Sequence, residues 1–426
     1  MSLPSYFDFL PDERIFDLAL FLPLSDITNY CQTSSKFNRI ICDNDDFWRM
    51  KFIKDHEFNP IYYTGSWKDL YKNYANLWSF GNNEWGQLGL GDTQNRFIPT
   101  VIQDFEVKEI KTCLNTTLAI DFQNNVWKIG TNEYENEGDM FLTIAKYRID
   151  STTPIKIENL KAREISTGQF HSIIIDDQNN VYTFGSNESG QLGLGDDQNR
   201  NKATQIPKIK AKQVAAGGSH TVLIDEDNNV LTFGNNKYGQ LGLNDNNNRL
   251  IPTHILNLKA KQVSAGLGYT IVIDLDNNVW SFGNNAFGQL GVGDNQNRHI
   301  PTMLLDIKAQ NVSCGIYHSL LIDIENRVWS FGSNHLGKLG LGDTQNRLIP
   351  TQINQQFKGK QIAAGYQHTL IIDLENNVWG FGDNHDGQLG LNDNMSRLIP
   401  TQIPNFKALK ISAGEFHSMM IGTLII

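Results

Sequence analysis

Residues 220–266 read HTVLIDEDNNVLTFGNNKYGQLGLNDNNNRLIPTHILNLKAKQVSAG. Two apolar runs, TVLI and VLTFG, flank Asp, Asn and Asn, which is the punctuation of a β-hairpin. A glycine-spaced turn follows, written GQLGLGD at residues 86–92. RLIPTHI and KAKQVSAG supply further short strands. About four strands per 49-residue unit put a turn roughly every 12 residues, the spacing of an all-β propeller or sandwich.

The stretch recurs. Segments of the WSFG type end at Gly81, Gly130, Gly185, Gly234, Gly283, Gly332 and Gly382, in steps of 49, 55, 49, 49, 49 and 50 residues. A second segment, SAGxxHSxxID, keeps the same register. Its histidine position holds Thr116, His171, His220, Tyr269, His318, His368 and His417. Sandwiches do not repeat seven times. A propeller does, because a four-stranded sheet covers both faces by stacking between two neighbours. The chain enters the pattern at Trp78–Gly81, in the middle of a unit, and ends before another WSFG. The amino-terminal LWSFG is therefore expected to supply the strand the last unit lacks. The expectation is an all-β seven-bladed propeller closed by pairing of the N- and C-terminal strands, which removes open sheet edges.

The combined pattern WSFGxNxxGQLGLGDxxNRxIPTxI…SAGxxHS resembles the units of the regulator of chromosome condensation (RCC) family, from residue 76 to about 422. The resemblance implies a seven-bladed propeller over residues 76–426.

Composition narrows the function. The chain has 426 residues, 40% hydrophobic and 19% charged, enough for a sizeable core. Its net charge of −10 argues against a broad basic surface for nucleic acid. No apolar run approaches the roughly 18–20 residues of a membrane span. The opening MSLPSYFDFL lacks the basic stretch of a secretory leader. Cys31, Cys42, Cys113 and Cys314 have no metal spacing, and a reduced intracellular setting, cytoplasmic or nuclear, fits them. No phosphate-loop motif is present, and no cofactor or metal is expected. The 46 asparagines read as genome bias rather than chemistry.

Residues that recur in every unit read as scaffold. The turn glycines give a tight backbone. A calcium β-roll is disfavoured, because its Gly–Asp repeat is far shorter. The histidine position fits a buried His or Tyr donating to a neighbouring backbone carbonyl, since a metal does not explain Tyr269. Arg96, Arg200, Arg249, Arg298, Arg347 and Arg397, each with an Asp four residues earlier, read the same way.

Function should break the symmetry, and two places do. The second unit has lost its glycine turn and is six residues longer than a standard unit. It carries Tyr134, Phe141, Tyr147 and Arg148, residue types that anchor interfaces. The pair before each glycine turn also varies, placing Trp85, Tyr238, Phe287, His335 and His385 on one rim. These nine residues are the candidate target-binding set.

Residues 1–75 form a separate, helical region of net charge −3. LPDERIFDLALFLP reads as a helix with Pro11 in its first turn and Pro23 stopping it. It is apolar on nearly all sides in a segment too short to surround it, so a partner is expected to cover the rest. Ser25 and Ser34 or Ser35 are caps for further helices, and DDFWRMKFIKDH and residues 66–74 are helical. Only Ala75 and Asn76 separate the last helix from the first strand, so a fixed orientation of the two domains is expected.

The order LPDERIFDLALFLPLSDITNYCQTSSKFNRIICDNDDFWRMKF resembles the F-box motif. Leu10, Pro11, Ile15, Leu22, Pro23, Ile27, Phe37 and Trp48 stand where that motif's apolar and proline residues fall. One departure is Ser35-Lys36-Phe37, where a Cys-Lys-Trp-like triplet is commoner. The resemblance implies that these residues bind a Skp-type adaptor and through it a cullin. The expected function is a non-catalytic, monomeric subunit of a ubiquitin ligase that recruits a target to its propeller, with no nucleic acid and no membrane as partner. The alternatives are a guanine-nucleotide exchange factor for a small GTPase, which the RCC resemblance implies, and a plain interaction scaffold.

Overall fold

An Asp–x–x–Asn–Asn hairpin repeats through most of the chain, and its side chains explain its shape. At residues 225–229, Asp225 Oδ1 accepts from the backbone N–H of Asp227 and of Asn229, at 2.9 and 2.7 Å. Asp225 Oδ2 accepts from Asn229 Nδ2 at 2.7 Å. Asn228 takes a left-handed backbone with φ +66°, as do Asn124, Asn179, Asn277, Asn326 and Asn376 in sister hairpins. Asparagine tolerates that conformation better than other side-chain-bearing residues. The asparagine excess thus has a structural cause at these positions, which corrects its reading as genome bias.

The computed structural model describes residues 11–22, 27, 30, 31, 34–56, 76–130, 134, 135, 146, 147, 151–355 and 357–424. The chain divides into two compact units, Met1–Asn76 and Leu77–Ile426.

The first unit is helical. Helix α1 spans Asp12–Ala19, and Pro11 stands just before it with ψ 147°. Asp12 and Glu13 lie in the first turn, where the helix dipole favours negative charge. Ser34 Oγ accepts from the N–H of Phe37 at 3.1 Å and starts a helical turn, Ser35–Phe37, that widens into a π-type turn, Asn38–Cys42. Asn44 Oδ1 accepts from the N–H of Phe47 at 3.2 Å and starts α2, Asp45–His56. Ile15, Ala19, Ile27, Phe37, Ile41, Phe47 and Trp48 form the core. Trp48 Nε1 donates to the Cys42 carbonyl at 3.2 Å, and Phe16 packs edge-on to Phe47. Cys31 and Cys42 lie side by side, with Cα atoms 6.1 Å apart. Cys113 and Cys314 are free.

The second unit is all-β and propeller-like. Its strands form short antiparallel sheets, numbered here by the WSFG-type strand each contains. In the fourth sheet the order from inside outward is residues 211–216, His220–Asp225, Asn229–Gly234, and the first half of Arg249–Ala265. The long strand Arg249–Ala265 pairs with Asn229–Gly234 through its first half and with Tyr269–Asp274 through its second. One strand therefore serves as the outer edge of one sheet and the inner edge of the next. This sharing links the sheets into hydrogen-bonded orders of 10 and 13 strands. The strand Asn76–Gly81 pairs antiparallel with His417–Leu424, from Leu77 opposite Ile421 to Gly81 opposite His417. Trp78 Nε1 adds a bond to the Gly422 carbonyl at 2.9 Å. Each sheet interface is filled by Ile, Val and Leu from both sides, as with Val222, Val230, Ile255 and Val272 around Phe282.

Candidate functional site

Regular seams between neighbouring sheets show what an irregular one lacks. Two devices recur. The first is the glycine turn. Asn236 holds its own turn by donating from Nδ2 to the Asp245 carbonyl at 2.8 Å and accepting at Oδ1 from the Leu241 N–H at 3.0 Å. Arg249 then pairs with Asp245 at 2.6 Å, as each of the six recurring arginines does with the Asp four residues earlier. So braced, the turn reaches the next sheet. Gly195 N–H donates to the Leu250 carbonyl at 2.9 Å, Asn244 to His299 at 2.8 Å, Gly293 to Leu348 at 2.9 Å and Asn392 to Phe97 at 2.8 Å. Glycine is required at Gly193, where φ is +69° and a Cβ would lie 2.7 Å from the Phe233 ring.

The second device is a relay through the histidine position. Thr221 Oγ1 donates its single proton to the Gln191 carbonyl at 2.8 Å, so it accepts from His171 Nε2 at 2.9 Å. The same pairing joins His220 to Thr270, His318 to Thr369, His368 to Ser418 and His417 to Thr117, always on the following sheet. Tyr269 Oη donates to the His318 carbonyl at 2.6 Å. The expected backbone-carbonyl acceptor holds for Tyr269; for the histidines it is corrected to a hydroxyl, since the ring is too short to reach past it. Burial pushes His171, His220 and His417 down to about 3 and His368 to about 4, so the rings are neutral at neutral pH.

The seam between the second and third sheets departs from both devices. Thr116 stands where the histidine would be, and the second unit has no glycine turn. Phe184 of the third sheet is 8% exposed, whereas its counterparts Phe80, Phe233, Phe282, Phe331 and Phe381 are 0% exposed. A cavity of about 920 Å³ opens there, lined by Phe170, Tyr182, Phe184, Arg200, Asn201 and Lys202 among others. That volume lies within the usual range for ligand sites. The lost turn was legible in the sequence. Its effect was not, because it falls on residues about 50 positions later, in the next unit.

The variable pairs stand at equivalent turns, where they are half-buried or exposed. Trp85 and Tyr238 are half-buried, and their N–H groups donate to Gln87 and Gln240 Oε1, at 2.9 Å each. Phe287 is exposed and begins an arc of rings on successive sheets: Phe287 to Tyr317 at 5.1 Å, Tyr317 to Tyr366 at 6.4 Å, Tyr366 to Phe416 at 5.7 Å. Tyr317, Tyr366 and Phe416 were missed, although the xx of SAGxxHS varies as much as the pairs that were singled out. Beneath the arc lies Lys338, where other turns have Gln. It is buried, donates to Gln367 Oε1 at 2.9 Å, and is pushed down to about 8 by burial. His335 and His385 are exposed, and His385 is raised by its bond to Asp383. Tyr134 and Tyr147 face each other as backbone partners in a two-stranded ladder. Their side chains, with Phe141 and Arg148, lie outside the described residues.

The helical unit requires a correction. Ile15, Ile27, Phe37 and Trp48 are 0–2% exposed, so they hold the unit together and are not available to an adaptor. α2 and the turn before it fold back over the inner stripe of α1. Among the described residues the exposed apolar side chains of this unit are instead Leu18, Phe21 and Met50, with Leu22 half-buried and Pro11 exposed. Leu10 and Pro23 lie outside the described residues. Among the described residues no group of three His, Cys, Asp or Glu is placed to hold a metal, and no helix is long and apolar enough to cross a membrane.

The sequence matches the profile of the regulator of chromosome condensation (RCC1) repeat at residues 75–113, 178–224, 227–273, 276–322, 325–372 and 375–421. A second profile of the same repeat matches five further overlapping ranges between residues 162 and 388. Among curated relatives, the Arabidopsis thaliana ultraviolet-B receptor UVR8 is 29% identical over 131 residues, 29% of this chain and 28% of that protein. Human RCC2 is 33% identical over 124 residues, 28% of this chain and 23% of RCC2. Human HERC6, named as a probable E3 ubiquitin-protein ligase, is 32% identical over 123 residues, 28% of this chain and 12% of HERC6. Each alignment thus spans less than a third of the relative. Prp20p of Saccharomyces cerevisiae superposes with a TM-score of 0.72 at 21% identity, over 83% of this chain and 92% of Prp20p. Human WBSCR16 superposes with a TM-score of 0.71 at 19% identity, over 82% and 99%. Both likenesses concern the fold.

Proposed function

This chain belongs to the RCC1 repeat family, whose profile covers more than half of its length, and on that premise we propose that it is a non-catalytic adaptor of a Skp–cullin–F-box ubiquitin ligase. The helical unit holds a Skp-type adaptor, and the propeller rim holds a target protein. The observation that carries the reading is the exposed apolar edge at the end of α1. Leu18 on α1 and Phe21 in the turn after it are 47% and 78% exposed, in a sequence with the F-box order of Pro and apolar residues. An edge of that kind marks a protein contact. The target side is supported by the aromatic arc from Phe287 to Phe416, since rigid rings dominate interfaces. The mechanism is proximity: the target's lysine gains effective concentration near the conjugating enzyme. The chain supplies no bond-making group of its own and works inside the cell.

The propeller of this reading has seven blades and closes on itself. The pairing of Asn76–Gly81 with His417–Leu424 supports it. So does the Thr112 N–H, which donates to Ser412 Oγ at 2.9 Å from the innermost strand of the second sheet to that of the first.

Co-purification with a Skp-type adaptor tests the function. The intact chain is expected to retain the adaptor, and Leu18→Asp/Phe21→Asp is expected to lose it while keeping its β-sheet circular dichroism. No retention by the intact chain, or equal retention by both, overturns the proposal.

A further inference from the structure

The inner-strand ends of seven sheets line one narrow cavity of about 90 Å³. A small-molecule site needs roughly 300–1,000 Å³. This one has room for about three waters, or for the end of one slim side chain. Its wall is mostly backbone. A Cβ at Gly217 would lie 2.6 Å from the Gly266 carbonyl oxygen, and one at Gly218 would lie 2.4 Å from that of Leu267. Hydrogen bonds tie neighbouring segments: Gln169 N–H donates to Gly217, Gly218 to Gly266 and Tyr366 to Gly414, each at 3.2 Å. The opening is thus preformed. Among the described residues that line it, Glu415 alone carries a charge. Its carboxyl is raised by burial, and no hydrogen bond or cation offsets that. Its charge reaches the Cys113 thiol, which is also in the wall. Lys338, under the aromatic arc, donates instead to the Tyr366 carbonyl at 3.3 Å and to Gln367 Oε1 at 2.9 Å. The arc borders the opening. Tyr366 lines the cavity, and its ring meets Phe416, the residue after Glu415, at 5.7 Å.

We propose that this cavity receives the end of one lysine side chain from a partner protein, with Glu415 as its counter-ion and the Tyr366 and Phe416 rings beside its stem. The inference deepens the proposed function and rests only on its reading that the β unit holds a protein. No adaptor and no ubiquitin chemistry enters it. The occupant must be cationic, because a half-buried carboxylate without a partner costs stability that a cation returns. Among the described residues no group of three His, Cys, Asp or Glu is placed to hold a metal, so a bare divalent ion does not fit. An unbranched stem suits the narrow wall better than the broad fork of a guanidinium. The stem lies well against aromatic rings, and the ammonium gains from their faces. Its three donors suit a carboxylate and the carbonyls of a backbone wall.

The test uses the full chain and the capped peptide Gly-Ser-Gly-Lys-Gly-Ser-Gly, with saturation-transfer NMR as the readout. Companion peptides carry Arg or Gln in place of the Lys. The lysine peptide is expected to saturate with a Kd of roughly 0.3–3 mM, and the glutamine peptide is expected not to bind. The arginine peptide is expected to bind at least about threefold more weakly. Glu415→Gln is expected to weaken lysine-peptide binding roughly tenfold, because the counter-ion is gone. It replaces a carboxyl that burial already disfavours, so its Tm is expected not to fall. Glu84→Gln removes the same charge from an exposed turn and is expected to change nothing. That control separates the cavity from the general pull of a chain with net charge −10. Equal binding of the lysine peptide and either companion, no saturation below about 10 mM, or undiminished binding to Glu415→Gln overturns the proposal. Co-purification with a Skp-type adaptor reads Leu18 and Phe21 in the helical unit, so the two tests fail independently.

Discussion

Acid should unfold the β unit through the histidine relay. His171, His220 and His417 are pushed by burial to about 3, and His368 to about 4, from an ordinary value of 6.5. His318 moves in the same direction. The folded value lies below the unfolded one, so the unfolded state binds more protons under acid conditions. The relay's stability is complete above pH 6.5 and falls away as pH drops toward 3. At pH 5 each ring has lost about 2 kcal/mol, from 1.5 units at 1.36 kcal/mol per unit. Four rings together lose about 8 kcal/mol, comparable with the whole stability of a typical domain. Urea unfolding followed by tryptophan fluorescence at pH 7 and pH 5 measures the loss. His220→Tyr, which copies Tyr269, should lose about 2 kcal/mol less between the two pH values than the natural chain. Replacing all four should flatten most of the pH dependence. An unchanged pH dependence in those variants would refute the reasoning and shift the cause to carboxylates.

Other perturbations follow from single contacts. Glu164 is raised to about 7 by burial on the innermost strand of the third sheet. Its cost is absent below its unfolded value of 4.5 and grows until pH 7, so Glu164→Gln should stabilise by up to about 3 kcal/mol at pH 8 and hardly at pH 4.5, read from urea midpoints. Gly193→Ala puts a Cβ 2.7 Å from Phe233 at φ +69° and should cost about 1–3 kcal/mol, seen as a lower Tm. Asp274 accepts from the N–H of Asp276 and of Asn278, from Asn278 Nδ2, and from Trp280 Nε1 at 2.9 Å. Asp274→Ala should therefore cost about 3 kcal/mol and redshift the tryptophan emission.

The hairpins and the repeat period were legible because apolar runs and turn residues report local backbone geometry. Asn228 and its sisters were not, since a left-handed residue is recognised only once the turn register is known. The relay acceptors Thr221, Thr270, Thr369 and Ser418 sit directly after the next unit's His or Tyr. They were hidden because the bond joins sheets about 50 residues apart. Phe184 and Asn201 were hidden for the same reason. In the helical unit the apolar residues were visible, but their direction was not. Ile15, Ile27, Phe37 and Trp48 belong to an inner face that only the return of α2 creates, leaving Leu18 and Phe21 outside.

Hydrogen–deuterium exchange of the full chain, with and without a purified Skp-type adaptor, addresses the proposed role most directly. The expected result is slowed exchange confined to residues 11–22 and 45–56, with the β strands unchanged. No protection of α1 at saturating adaptor, or protection of the strands alone, would contradict it.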